Sequence, residues 1–467
     1  MRACLKFTLI ILSLSYFLPS ISAQEEQLSK KYKTEVVESL IVLMNDYYVF
    51  PEVAKETEIH LRKQMESGYF DKVTSTETLA ELLTKSVQEI NKDKHMKVRK
   101  TPDFDAEPMT PERMIEEKLH GLNRMRSYNA GFNTVKVLEG NIGYIDIRGF
   151  AYFHEGSKAA DAYMQLVANT DAIIIDLSKN GGGDPEMVQY LCSYFFEGGV
   201  HLNSLYFREG DRTMDFHTLD EVGGKKMIDI PLFVMTAERT FSGAEEFSYN
   251  MQTQKRATLI GQTTGGGANP GRMRSINEDL AVFIPNGKAI NPITKTNWEG
   301  TGVIPEIKTE LDSSFAKAHK LAKMAAEEYQ SKSKEKYTSM YEDLLSHLEV
   351  YDEKSSESLI LKSLTSCKEA GLIRDWEINA LGYDYLMQHQ KPEIALAIFK
   401  ANIDLHPDVP NGYDSYAEAL SKIGSPEKAL KMQEKAIAIA ETNQDPDIEM
   451  YKANKDKILE ILSKENK

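Results

Sequence analysis

The run Ala172-Ile-Ile-Ile-Asp-Leu177 constrains this chain more than any other feature. It is apolar without alternation, so both faces of the strand must be covered, as in the middle of a parallel sheet. A glycine turn follows. Asp184 then reads as an N-cap and Pro185 as the favoured first helical position of an apolar helix reaching Phe195. The same order recurs: a buried strand over Pro231 to Met235, a helix over Ser242 to Gln252, and a short strand over Thr258 to Gly261. Upstream, Asn141 to Ile147 alternates as a strand does. Strands alternating with helices predict an α/β domain with a substantially parallel sheet. Short strands near Met273–Ile276 and Leu280–Ile284 are expected to close it.

The flanks have a different period. From about Thr34 to Asn91, Val36-Val37, Leu40-Ile41, Leu43-Met44 and Tyr47-Tyr48 recur at helical spacing, as do Leu79, Leu82, Leu83, Val87 and Ile90. Pro51 breaks the first helix, and Thr74-Ser-Thr-Glu77 reads as a capping box opening a later one. Beyond Leu311 the chain is helical and polar. Pro392-Glu-Ile-Ala-Leu396 is echoed 34 residues on by Pro426-Glu-Lys-Ala-Leu430, and Leu386 by Leu420. That period resembles tetratricopeptide repeats. The chain thus divides into a signal peptide over 1–23, a helical subdomain over 24–100, an α/β core over 101–311, a helical linker over 312–340 and a tetratricopeptide-like region over 341–467.

Arg2 and Lys6, the apolar run Phe7 to Leu18, and Ser20-Ile-Ser-Ala23 are the three parts of a secretory signal, too short to span a membrane. The expected location is therefore the periplasm, cell envelope or extracellular space, with no membrane span after the signal is removed. Of the three cysteines, Cys192 and Cys367 would remain, too few for a metal site. A net charge of -15 argues against nucleic acid or an anionic membrane as partner.

Phe233 to Phe247 reads as strand, tight connection and helix, with Ser242 at the helix start and Gly243 beside it. A serine placed there is exposed to attack a substrate and lies beside free backbone N–H groups. Ser242-Gly-Ala-Glu245 is equally an S-x-x-E capping box, so a nucleophile needs partners elsewhere. The turn Asn180-Gly-Gly-Gly183 could offer amides to an oxyanion, or be only a tight turn. Among ten histidines most lie in helices or polar connections. His154, His201 and His217 fall in connections with no motif around them. His95 differs, ending the helical front end where the chain enters the core.

Four segments together resemble the tail-specific (carboxyl-terminal processing) serine protease family: Asp93-Lys-His95, Asp176-Leu-Ser-Lys-Asn-Gly-Gly-Gly183, Thr240-Phe-Ser-Gly-Ala-Glu245 and Asn297-Trp-Glu-Gly-Thr-Gly-Val-Ile-Pro305. They are most similar to the branch of the tricorn core and the repeats of interphotoreceptor retinoid-binding protein. The resemblance implies a ClpP/crotonase-like α/β core and a serine peptidase acting on peptides or proteins, without metal or cofactor. It implies Ser242 as nucleophile, His95 as base, Glu299 as the acidic member of a Ser-His-Ser-Glu tetrad, and the Gly243 and Gly182 amides as oxyanion hole, with Gly183 a near alternative. Gly267 stands where the Lys-dependent branch carries its base. Roughly 45 residues between His95 and Asn141 leave no room for that branch's PDZ domain. Two positions depart from the pattern. Ser178 replaces an arginine, and Lys94 replaces the serine before the histidine, leaving open what connects Glu299 to His95; Asp93 could orient the ring, though local capping is the role it suits better. Both departures fit a second reading, a catalytically weak or inactive relative that holds hydrophobic ligands or peptides. The presence of Ser242, His95 and Glu299 favours the peptidase. The repeat region implies a protein partner.

Overall fold

The computed structural model describes residues 28–101, 110–352 and 356–465; the segment read as a signal peptide lies outside them. The chain forms two compact units that divide between Ala326 and Glu327.

The first unit is built on a six-stranded sheet in the order β12 (Ile307–Lys308), β8 (Thr258–Gly261), β7 (Leu232–Thr236), β4 (Ala172–Asp176), β3 (Ile142–Ile147) and β2 (Phe132–Leu138). Every pairing is parallel except the β2–β3 hairpin, as the alternation predicted. In register, Ile145, Ile175, Val234 and Leu259 lie across from one another and are fully buried. On the opposite face Ile142, Ile174, Phe233, Met235 and Ile260 pack under Ala318, Ala322 and Ala326 of α8 (Leu311–Glu349). Alanines at that spacing let the helix backbone approach the sheet closely. The continuous helix α8 covers the whole of 312–340. Helix α5 (Phe153–Val167) packs on β2 and β3, and α6 (Pro185–Ser193) joins it to α7 (Gly243–Thr253), which packs on β8.

Helices α1 (Lys30–Tyr47), α2 (Pro51–Glu66) and α3 (Thr76–Asn91) form the front end. Pro51 opens α2 at its first position. The cap of α3 falls one residue later than predicted: the Ser75 hydroxyl, not Thr74, accepts the Thr78 amide. This region does not own its core. Leu40, Met44, Leu61, Leu79 and Leu83 share one apolar cluster with Val98 of β1 (Val98–Lys100) and Leu280, Val282 and Ile284 of β10 (Leu280–Pro285). Each such side chain stabilises by about 1.5–3 kcal/mol on full burial. The helices are thereby fixed to an antiparallel sheet ordered β1-β10-β9, with β9 at Gly271–Ser275. The predicted strands near 273 and 280 exist, but in this separate sheet.

Several elements gave no sequence signal strong enough to assign: α4 (Pro111–Tyr128), β1, β2, and a sheet of β11 (Gly287–Ile290), β5 (His201–Phe207) and β6 (Arg212–His217). His201 and His217, predicted in connections, are cross-strand partners of β5 and β6 with rings stacked 4.4 Å apart. His154, also predicted in a connection, lies in the first turn of α5.

The second unit is helical: the end of α8, α9 (Ser356–Glu369), α10 (Asp375–Tyr383) with a π-type turn over Asp384–Gln388, α11 (Pro392–Leu405), α12 (Pro410–Lys422), α13 (Pro426–Asn443) and α14 (Ile448–Glu465). Pro392 and Pro426 each open a helix, so the 34-residue period is one of helix starts. Its core gathers Leu344, Leu348, Ile360, Leu364, Ile378, Ile398 and Phe399. Cys192 and Cys367 are buried free thiols. Among the described residues no helix is long and apolar enough to cross a membrane.

Candidate active site

Strands β4 and β7 are neighbours, with Asp176 opposite Met235, so the turns leaving them emerge side by side at the carboxyl edge of the sheet. Ligand sites in open α/β sheets form at that edge. Here the turns are tied together: the Thr240 hydroxyl donates to the Leu177 carbonyl at 2.8 Å and the Phe241 amide to the Asn180 carbonyl at 3.1 Å.

Ser242 precedes α7 with φ 53° and ψ -122°, a backbone conformation that L-residues other than glycine rarely adopt. Strain of this kind costs about 1–3 kcal/mol and persists only where the surroundings over-determine it. Glu245, fully buried, does so. Its carboxylate accepts the amides of Ser242 at 2.9 Å, Gly266 at 2.6 Å and Gly267 at 2.8 Å, and the Thr264 hydroxyl. Burial raises the Glu245 carboxyl and these hydrogen bonds pull it back. The capping residue and the anchor of the 264–267 loop are thus one side chain.

Against Ser242 stands the glycine turn. A Cβ on Gly182 would lie 2.8 Å from the Ser242 Cβ and 2.7 Å from the Gly243 nitrogen, so only glycine fits. The Gly182 amide, however, is spent: it donates to Asn180 Oδ1 at 2.8 Å. The amide of Gly183 makes no hydrogen bond among the described residues, and Gly183 packs against Gly243. Of the two amides weighed from the sequence, that of Gly183 rather than Gly182 is the unengaged one. Asp184 caps α6 as predicted and also accepts the Phe153 amide at 2.8 Å. Ser178 offers no cation to Asp176, whose carboxylate accepts the Tyr144 hydroxyl at 2.7 Å and the Ser178 amide at 2.9 Å.

His95 follows α3 and is delivered to the same wall of the site. Its ring lies 4.5 Å from that of Phe241, the residue before Ser242, and 5.9 Å from Phe283. Asp93 both turns the backbone, accepting the His95 amide at 3.0 Å, and puts Oδ1 3.7 Å from the ring's Nδ1. That gap is too long for a hydrogen bond, and Nδ1 is buried without a partner. No hydrogen bond joins His95 to Ser242. Glu299 accepts the Ala268 amide at 2.6 Å through one oxygen, while its other oxygen is buried and unpartnered. One side-chain atom each of Asp93, His95 and Glu299 lies within 4.8 Å of the other two. The spacing would admit a small cation, but the exposed Lys94, Lys97 and Arg99 at the rim oppose one.

Burial first, and the Asp93 charge second, push the Glu299 carboxyl up to about 8. Tyr48, almost wholly buried beside the pair, is held protonated far above its ordinary range by burial and by the same two carboxylates. Asn269 steadies Asp93 at 2.9 Å. Asn269, Tyr48, Phe241 and Phe283 escaped sequence reasoning because nothing local marks them; Asn269 and Asp93 are 176 residues apart. Gly267 explains why one chain does not carry both bases. A Cβ there would fall 2.2 Å from Phe241 Cζ and 2.6 Å from His95 Cε1, so a lysine would displace the histidine. Lys94, in the place of the family's serine, donates to the Gly265 carbonyl at 2.6 Å.

One cavity opens at Gly183 of the glycine turn and another at Phe241. The first, about 800 Å³, is lined by Leu122, Phe150, Ala151, Tyr152, Gly183 and Pro185. The other, about 420 Å³, is bounded by Lys94, His95, Lys97, Arg99, Phe241, Met273 and Phe283.

The sequence matches peptidase family S41 over residues 141–309, and the N-terminal domain of peptidase S41 in eukaryotic IRBP over residues 26–130. Together the two matches span more than half of the chain. Among solved structures it is similar to mature CPAF at 12% identity, covering 65% of this chain and 98% of that one with a TM-score of 0.45. The photosystem II D1 C-terminal processing protease matches at 13% identity, over 61% of this chain and 94% of that one, with a TM-score of 0.39. The tricorn protease matches at 15% identity, over 64% of this chain and 37% of that one, also with a TM-score of 0.39.

Proposed function

The chain belongs to peptidase family S41 and is a serine-type peptidase, and from that premise we propose that Ser242 is its nucleophile and His95 its base. One observation carries the reading: a strained serine at the start of α7, faced by two backbone amides, Gly243 and Gly183, that nothing else engages. Gly243 is the first residue of α7, where the amide has no partner within the helix.

In the proposed reaction the Ser242 hydroxyl attacks a peptide carbonyl as its proton passes to the imidazole of His95. The amides of Gly243 and Gly183 receive the oxyanion; each such donor is worth about 10²–10³ in rate. The proton then passes to the leaving amine, and water, deprotonated by the same imidazole, releases the acyl group. Ring and hydroxyl must approach on substrate binding, a tightening common in sites described without substrate. Asp93 takes the part of the missing tetrad serine. Glu299, holding a proton to about 8, adds little negative charge beside the ring at neutral pH. Closing the 3.7 Å gap to Asp93 would give the imidazolium Nδ1–H an acceptor.

Ser242→Ala is the test. It is expected to abolish both cleavage of casein and labelling by a fluorophosphonate probe; labelling that persists undiminished would mean a different serine reacts. We read the helical tail as tetratricopeptide-like and as recruiting a protein partner or substrate, and the first 23 residues as directing export. An exported chain beginning at Gln24 would bear out the export reading.

A further inference from the structure

The small sheet that fixes the helical front end has a second face, and that face borders His95. Lys97 and Arg99, two residues apart, point to the same side of the β1 segment. Phe283 lies across from both Lys97, to whose carbonyl its amide donates at 3.0 Å, and Met273. Directly opposed residues of antiparallel strands share a face. The opposite face, with Val98, Val282 and Ile284, is buried in the front-end core. What remains outside is a floor of Phe241, Phe283 and Met273 under a rim of Lys94, Lys97 and Arg99, enclosing the cavity of about 420 Å³ beside the imidazole.

The rim runs against the character of the chain, whose net charge is -15. Lys97 and Arg99 are exposed and make no ion pair among the described residues, whereas the neighbouring Lys100 is paired with Glu77 at 3.2 Å. Lys94 is held toward the loop by the Gly265 carbonyl and keeps its charge at the mouth. Three cations over an aromatic and thioether floor suit a carboxylate carried on a chain whose apolar parts reach the floor. They also repel other basic chains at close range.

We infer that this cavity is a substrate subsite that seats the acidic side chains of a peptide within a few residues of the cleaved bond. The inference rests on Ser242 and His95 marking the point of cleavage. Lys97 and Arg99 are its specificity-determining residues and take no part in the chemistry.

The experiment compares the wild-type protein with a Lys97→Gln/Arg99→Gln double variant, mapping by mass spectrometry the bonds each cleaves in a proteome-derived peptide library. The wild type is expected to favour sites with aspartate or glutamate nearby by about 5–10-fold, the yield of two exposed ion pairs. That preference should vanish in the variant while total cleavage persists, and should shrink in the wild type as salt is raised. In a C-terminally amidated library the preference is expected to persist; its loss there would assign it to the chain terminus and overturn the inference. No acidic preference in the wild type, or one undiminished in the variant, overturns the inference. If no Ser242-dependent cleavage is seen at all, the assignment of Ser242 fails instead. The subsite is then decided by fluorescence anisotropy of labelled deca-glutamate and deca-glutamine peptides on Ser242→Ala protein. Tighter binding of deca-glutamate that Lys97→Gln/Arg99→Gln removes would support the subsite, and equal binding of the two peptides would end it.

Discussion

A single methyl group at residue 267 would decide whether His95 can occupy its place. Backbone conformation does not forbid alanine there, since Gly267 has no positive φ; the obstacle is Phe241 Cζ at 2.2 Å and His95 Cε1 at 2.6 Å. Gly267→Ala should lower kcat/KM by about 100-fold, the scale of an ångström's misplacement of a catalytic group. Circular dichroism should show the fold intact. Glu299 gives a second residue-scale prediction, about stability. In the fold it keeps its proton to about 8, whereas in the unfolded chain it releases it near the ordinary carboxyl value. Between those values the folded state binds more protons than the unfolded one, so stability falls as pH rises through the window. Glu246, buried and pushed up to about 7, adds a slope of the same sign. Glu299→Gln should therefore flatten part of the fall in melting temperature from about pH 5 to pH 8. An unchanged slope would mean that the carboxyl is not held protonated.

Elements legible in the sequence were those whose partners are implied by their own pattern. Ala172–Asp176 must be covered on both faces, and helices on one side with α8 on the other do so. The face under α8 is closed by Ala318, Ala322 and Ala326, all essentially without exposure. Ala322→Leu should overpack it and cost about 1–3 kcal/mol in urea unfolding; a neutral result would indicate slack between helix and sheet. Strands β1 and β11 were not legible because they are short and pair across long stretches of chain, while β5, mostly buried, and β6, mostly exposed, lack a clean alternation. Val98 meets Val282, and Gly287 meets Phe207. The lack of alternation in β5 and β6 also hid the stacking of His201 on His217, and only the pairing brings the rings together.

Each of the two units has a core of its own, and damage to one is expected to be read separately from the other. Phe399 is fully buried in the second unit, against the ring of Tyr383 at 5.2 Å and close over Gly382. Phe399→Ala should destabilise that unit by about 3–5 kcal/mol, giving an earlier calorimetric transition. Turnover of short peptides should be unchanged while cleavage of folded protein substrates declines. Equal loss on both kinds of substrate would count against the tail as a recruiting element. The first unit behaves differently, since its helical front end shares a core with strands drawn from residues 98 to 285 and has no separate interior.

Sequence alone determined the strand–turn–helix units, the parallel order they impose and the positions of Ser242, Asp184 and Pro185, because hydrophobic period, caps and turn chemistry act over a few residues. It also selected His95, Glu299 and the glycine turn through motifs. Tertiary structure alone decided which amide of that turn is free, since Asn180 claims Gly182 and leaves Gly183. It likewise decided that Asp93 and Glu299 meet beside one imidazole and that Lys97 and Arg99 rim a cavity. Hydrogen bonds, desolvation and like-charge coupling depend on distances between residues far apart in the chain, and only the packed fold fixes those distances.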